Sequence, residues 1–154
     1  MKYIVSKHCG FCSGVKRAVE SAYKNAGENT VTYGELIHNK IVVDKLAEKG
    51  VTAVNDISQC IGKKVIVRSH GAGKDFFDKA SALGIEVIDA TCPFVKKIHD
   101  IVYRHYIDGY HIAIIGKAGH PEVEGTNGWC ENTASIVDDE KAAEALVHFE
   151  KVCF

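Results

Sequence analysis

The sequence predicts an α/β fold of small parallel sheets flanked by helices. Short apolar runs of strand type alternate with amphipathic helical stretches along the whole chain, and a parallel sheet covered by helices is the arrangement that such alternation favours. Glycines punctuate it: Gly27, Gly34, Gly50 and Gly84 each stand where one pattern stops. The chemically unusual residues are also placed regularly. His38, His70, Cys92 and His120 each lie within a few residues of a predicted strand end, the edge at which open α/β sheets bind ligands.

Taken in order, Tyr3-Ile4-Val5 reads as a short strand, followed by Cys9-Gly10-Phe11-Cys12-Ser13-Gly14. Val15, Ala18, Val19, Ala22, Tyr23 and Ala26 share one helical face. Residues 31–33 form the next strand, and Asn39 suits the N-cap of a helix with Val42, Val43, Leu46 and Ala47 on its apolar face. Residues 51–54 read as strand. Lys64–Val67 is a buried-type strand that runs into Arg68-Ser69-His70-Gly71-Ala72-Gly73, with a helix over 75–83. Strand 85–88 leads into Asp89-Ala90-Thr91-Cys92-Pro93. Phe94, Ile98, Ile101, Val102 and His105 share the apolar face of the following helix. Strand 110–115 is the strongest of all and opens into Gly119-His120-Pro121-Glu122, where Pro121 suits a first helical turn. Strand 135–137, a helix over 139–147 and a final strand 151–154 with nothing after it complete the pattern. Topology divides the chain into a first α/β domain, 1–92, and a second, 93–154; no Pro/Ser-rich linker marks the cut.

Composition excludes several classes. With 46% hydrophobic and 25% charged residues the chain is globular rather than disordered or fibrous. A net charge of -1, with basic residues scattered, gives no field for nucleic acid or anionic membrane. The longest apolar run, 112–115, is far too short to span a bilayer. No signal-peptide core follows Met1, so a cytoplasmic location is expected, where the six cysteines are thiols or ligands rather than disulfides.

Cys9 and Cys12, three residues apart among glycines before a helix, suit a redox pair, half a zinc site or a cluster ligand. Cys92 precedes Pro93, which fixes the thiol's direction as the chain turns; locally, a packed strand-end thiol fits equally well. Cys60, Cys130 and Cys153 have no such setting, and His8, His99, His105, His111 and His148 read as structural. Glu122 either complements a helix dipole or, beside His120, delivers a proton to an anionic substrate. Gly71-Ala72-Gly73-Lys74 lacks the first glycine and the Ser/Thr of a phosphate loop, and His120-Pro121-Glu122 lacks the later cysteines of a zinc deaminase.

Five motifs occur in order: Gly10-Phe11-Cys12-Ser13-Gly14-Val15, Glu35-Leu36-Ile37-His38-Asn39, Ser69-His70-Gly71, Asp89-Ala90-Thr91-Cys92-Pro93, and Gly119-His120-Pro121-Glu122-Val123-Glu124-Gly125-Thr126. Together they resemble the 4-hydroxy-3-methylbut-2-enyl diphosphate reductase family, from about residue 3 to the C-terminus. The resemblance implies three α/β domains in a trefoil-like arrangement. It implies a 4Fe–4S cluster on three cysteines, with Cys12 and Cys92 at the first two ligand positions. It further implies His38, His70 and His120 around the substrate diphosphate, and Glu122 as the acid that supplies a proton. The implied reaction is reductive removal of an allylic hydroxyl to give isopentenyl and dimethylallyl diphosphates, the last step of the methylerythritol phosphate route to isoprenoids. A ferredoxin- or flavodoxin-like donor would supply the electrons.

Two features depart from the family pattern. The third domain, with the third cysteine ligand and a Ser/Asn group for the diphosphate, has no counterpart here. The chain is therefore expected to be an N-terminal two-domain fragment, inactive alone, whose residues 1–8 group with the absent third domain. Cys9 is an extra thiol. The alternative is a non-enzymatic metal-binding or redox-sensing module using Cys9, Cys12 and Cys92, completed by a loop histidine.

Overall fold

A computed structural model describes residues 2–154. Its first sheet holds β1 (Thr30–Tyr33), β2 (Thr52–Val54), β3 (Lys64–Val67) and β4 (Glu86–Asp89), all parallel, in the order β2-β1-β3-β4. The central strand shows why. Val65, Ile66 and Val67 are all 0% exposed, the continuous apolar run that a parallel strand covered on both faces requires. Alternation then splits them. Ile66 packs with Ala18 and Ala22 of α1 (Ser13–Lys24) and Leu46 of α2 (Lys40–Ala47), while Val65 and Val67 pack with Phe76 and Ala80 of α3 (Lys74–Ala82). Asn39 caps α2, its side chain accepting from the Val42 N–H at 3.2 Å.

The second sheet holds β5 (His111–Ile115), β6 (Ser135–Val137) and β7 (Val152–Cys153), parallel, in the order β6-β5-β7. One face packs Ile112 against Val102 of α4 (Pro93–Ile107) and Cys130 of a 3-10 turn, Gly128–Cys130, that follows α5 (Pro121–Asn127). The other packs Ala113 and Val137 against Leu146, beyond α6 (Glu140–Glu144).

The structure corrects four expectations. Residues 3–5 are not a strand: Ile4 is 99% exposed, and no strand lies beside the segment to take its backbone hydrogen bonds. The helix expected over 139–147 ends after five residues and continues as a 3-10 turn, Ala145–His148. The last strand does not stand alone, because Val152 and Cys153 pair with His111 and Ile112 of β5. On α4 the buried row is Val95, His99 and Val102, whereas Phe94 is 75% exposed and Ile98 is also exposed. Both rows have helical spacing. The one facing the first sheet's loops is buried, and the other borders an open groove. No helix among the described residues is long and apolar enough to cross a membrane.

The two sheets meet at the loop 68–73. Trp129 Nε1–H donates to Ala72 O at 3.0 Å. A Cβ on Gly128 would lie 2.5 Å from Gly73 Cα, so the backbones touch where only glycine fits.

Candidate functional site

Three histidines reach this meeting point from three strand ends. Beyond β1, Gly34 adopts φ +72, and a Cβ there would lie 2.6 Å from Arg68 Nη1. That turn buries Leu36 and Ile37 and leaves His38 exposed. Beyond β3, Ser69 N–H donates to Leu36 O at 3.5 Å, and His70 follows, half-buried. Beyond β5, His120 is the N-cap of α5, its Nδ1 accepting from the Glu122 N–H at 3.3 Å. In the neutral ring the proton is then on Nε2. The His38 and His70 ring centroids are 4.8 Å apart, those of His38 and His120 6.2 Å, and those of His70 and His120 6.1 Å.

Electrostatics distinguishes the three. Burial, then the nearby His38, Arg68 and His120 charges, lowers the His70 pKa to about 4. His70 is therefore neutral at pH 7, and its buried Nδ1 has no partner in the protein. Arg68 is half-buried and donates from Nε to Gly71 O at 3.4 Å. Three clustered imidazoles and a partly desolvated guanidinium form a site short of negative charge. An anion entering it would favour the protonated form of His70.

Glu122 lies in the first turn of α5, half-buried, and with His120 lines one end of a cavity of about 580 Å³. The rest of the lining is mostly apolar, with Ile98, Ile114, Val123 and Phe154 among it, and includes Lys117 and Thr126. Glu124, two residues on, is committed elsewhere: its Oε1 accepts from the Gly119 N–H at 3.2 Å.

Cys12 and Cys92 occupy matching positions. Each is the N-cap of a helix, α1 and α4, and neither thiol caps the helix end. Their carbonyls accept from Lys16 and Lys96 N–H, both at 2.9 Å. Helix N-termini favour thiolate over thiol. The two turns are held together, since a Cβ on Gly14 would lie 2.7 Å from Cys92 Sγ, and Arg17 Nη2 donates to Thr91 O. Both thiols are free, Cys12 exposed and Cys92 half-buried. Cys9 is free and exposed, Cys60 and Cys130 are buried, and Cys153 is half-buried in the second sheet's core. Among the described residues no group of three or more His, Cys, Asp or Glu is arranged to hold a metal ion. Cys9, Cys12 and Cys92 are thus not gathered into a ligand set. Cys12 and Cys92 have the donor chemistry of cluster ligands, soft sulfur donors at helix N-termini with glycine clearance beside one of them, but supply only part of a donor set.

Sequence reasoning missed Arg17, Arg68 and Trp129, which take part in this seam with His99, whose reading as structural fits its burial. Only the spacing of His99 with Val95 and Val102 signalled a buried row.

A family model described as LytB protein matches residues 3–154. A relative from Thermoanaerobacter sp. (strain X514), named 4-hydroxy-3-methylbut-2-enyl diphosphate reductase, is 46% identical over 160 residues, covering 99% of this chain and 56% of its own. One of the same name from Geobacter sp. (strain M21) is 41% identical, covering 99% and 55%. Among solved structures, the E-1-hydroxy-2-methyl-but-2-enyl-4-diphosphate reductase of Plasmodium falciparum superposes with a TM-score of 0.81 at 31% identity, over 88% of this chain and 44% of its own. A second, described as the terminal enzyme of the non-mevalonate pathway, gives 0.75 at 38% identity, over 97% and 55%. The chain spans about half the length of the curated relatives it matches.

Proposed function

The chain belongs to the LytB protein family, and we propose that it forms the diphosphate-binding half of a 4-hydroxy-3-methylbut-2-enyl diphosphate reductase site together with two of its cluster thiolates. The observation that carries this reading is the convergence of His38, His70 and His120, with ring centroids 4.8 to 6.2 Å apart, from three strand ends in two sheets. The two sheets are then the cores of separate α/β domains, 1–92 and 93–154.

In the proposed reaction the allylic C–O bond breaks, two electrons and two protons are taken up, and the oxygen leaves as water. The three imidazoles hold the diphosphate, and N–H groups at the starts of α2 and α3 add positive potential. His70, neutral at rest, takes up a proton as the anion arrives, so its charge appears only when there is charge to balance. Glu122 is the proton donor to the departing oxygen in this reading. The largely apolar walls beside it suit the hydrocarbon part of the substrate. Cys12 and Cys92 would hold a 4Fe–4S cluster jointly with a third thiolate, and when bound the cluster supplies electrons and a Lewis-acid site for the hydroxyl. A ferredoxin- or flavodoxin-like protein in the cytoplasm is the donor in this reading.

Two thiolates do not retain such a cluster, so the 154-residue chain is expected to lose iron after iron–sulfide reconstitution and to show no turnover. A stable cluster with turnover in this chain would contradict that assignment. The diphosphate half is tested separately by titrating the chain with inorganic diphosphate. Binding in wild type that His70→Ala weakens about tenfold or more supports it, and equal binding by both refutes it.

A further inference from the structure

The loop that carries His70 is closed from beneath by two polar side chains that the binding geometry leaves unused. His99 on α4 is 1% exposed, and its ring stacks on Trp129 with centroids 5.2 Å apart at 22°. Its Nε2 has no hydrogen-bond partner in the protein, and neither does Thr91 Oγ1, whose residue is 2% exposed. A native interior seldom leaves a buried polar atom unpaired, because the lost solvation is not returned. Here the two residues that carry such atoms meet at one glycine. A Cβ on Gly71 would lie 2.5 Å from His99 Cε1, 3.3 Å from His99 Nε2 and 3.1 Å from Thr91 Cγ2. Both residues also line a small cavity, about 190 Å³, with Phe77, Asp89, Lys96 and Trp129. A space of that size beside two polar residues is large enough to take a water.

We propose that Thr91 and His99 are a positioning pair, hydrogen-bonded to each other through one buried water, that holds Gly71 in place and thereby fixes both His70 and the Cys92 turn. Gly71 adopts φ +81 with no room for a side chain, so its conformation depends on what lies under it. His99 and Thr91 supply that floor. The same floor reaches the thiolate side. Thr91 precedes Cys92, whose N–H donates to Ser69 O at 2.9 Å, and Thr91 O accepts from Arg17 on α1. Displacement of the pair moves the loop carrying His70 and the turn carrying Cys92 together. This inference rests on the reading of His70 as a diphosphate ligand for its functional consequence, but not for the existence of the pair.

The test uses the 154-residue chain with inorganic diphosphate as probe, and compares Thr91→Val with Thr91→Ser and His99→Leu with His99→Gln. The apolar variants are expected to weaken diphosphate binding about tenfold and the polar ones to stay within about twofold of wild type. The double variant Thr91→Val/His99→Leu should be no weaker than either single one, because one shared interaction is lost once. Full binding by both apolar variants, or independent losses that multiply in the double variant, would overturn the pair. If wild type binds no diphosphate, the reading of the histidines fails instead, and amide exchange decides the pair by itself. The Gly71 and Cys92 amides should exchange faster in Thr91→Val and recover in Thr91→Ser; unchanged exchange in Thr91→Val overturns it. Thr91→Val is nearly isosteric, so it keeps the comparison valid if His99→Leu does not fold.

Discussion

The two sheets share a topology and differ in how completely they are covered. In the first, the central strand is sealed on both faces, by α1 and α2 on one side and α3 on the other. In the second, one face of β5 is only partly covered, and the apolar groove beside α4 stays open, with Ile115 75% exposed at its rim. The first sheet therefore has the more fully buried core and presents His38 and His70 beyond its strand ends. The second contributes His120 and Glu122 from a more loosely packed frame. A site shared between a sealed and an open sheet depends on the seam between them, where Gly73 meets Gly128 and Trp129 reaches Ala72.

The largest expected effects test the sealed side. Ile66→Ala removes a fully buried side chain from β3 and should destabilise the fold by about 3 kcal/mol in chemical denaturation. Ile115→Ala at the groove rim should change stability by less than about 0.5 kcal/mol. Equal losses at the two positions would erase the contrast. Next comes the seam. Gly128→Ala forces a methyl into the Gly73 backbone and should cost about 1–3 kcal/mol. It should also separate His120 from His38 and His70, so diphosphate binding falls even where the chain remains folded.

A smaller and graded effect follows pH. Burial, ahead of charge effects, lowers the pKa of both His70 and His99 to about 4, below the usual 6.5. The unfolded chain then binds more protons than the folded one between those values. Stability is full above about pH 6.5 and falls as the pH drops towards 4, with a slope of up to about 1.4 kcal/mol per pH unit for each histidine. Denaturation at pH 7 and pH 5 checks the sign, which would be wrong if stability rose on acidification. The smallest effect should come from the surface. Lys40→Ala breaks an exposed pair with Asp44 and should alter stability by no more than about 0.5 kcal/mol.

The first sheet was largely legible in the sequence. Val65-Ile66-Val67 can only be a doubly covered strand, and Asn39 announced its own cap. The placement of His38, His70, Cys92 and His120 after strand ends was also readable, since it needs only local pattern and the rule for parallel sheets. The parts missed depended on distant packing. Phe94-Ile98 and Val95-His99 are equally good helical rows, and only the loops of the first sheet decide which is buried. His99 read as structural, but not what it supports, because its neighbours Gly71, Thr91 and Trp129 are up to thirty positions away. Tyr3-Ile4-Val5 has strand composition without a neighbouring strand, and composition alone does not make a sheet.

The central claim is that the seam between the sheets assembles one diphosphate site from three histidines, and imidazole NMR of the chain at pH 7 tests it most directly. Inorganic diphosphate should shift the ring signals of His38, His70 and His120 together, with one affinity, and raise the His70 titration midpoint from about 4. Shifts confined to one of the three, or shared equally with the exposed His8 and His148, would contradict it.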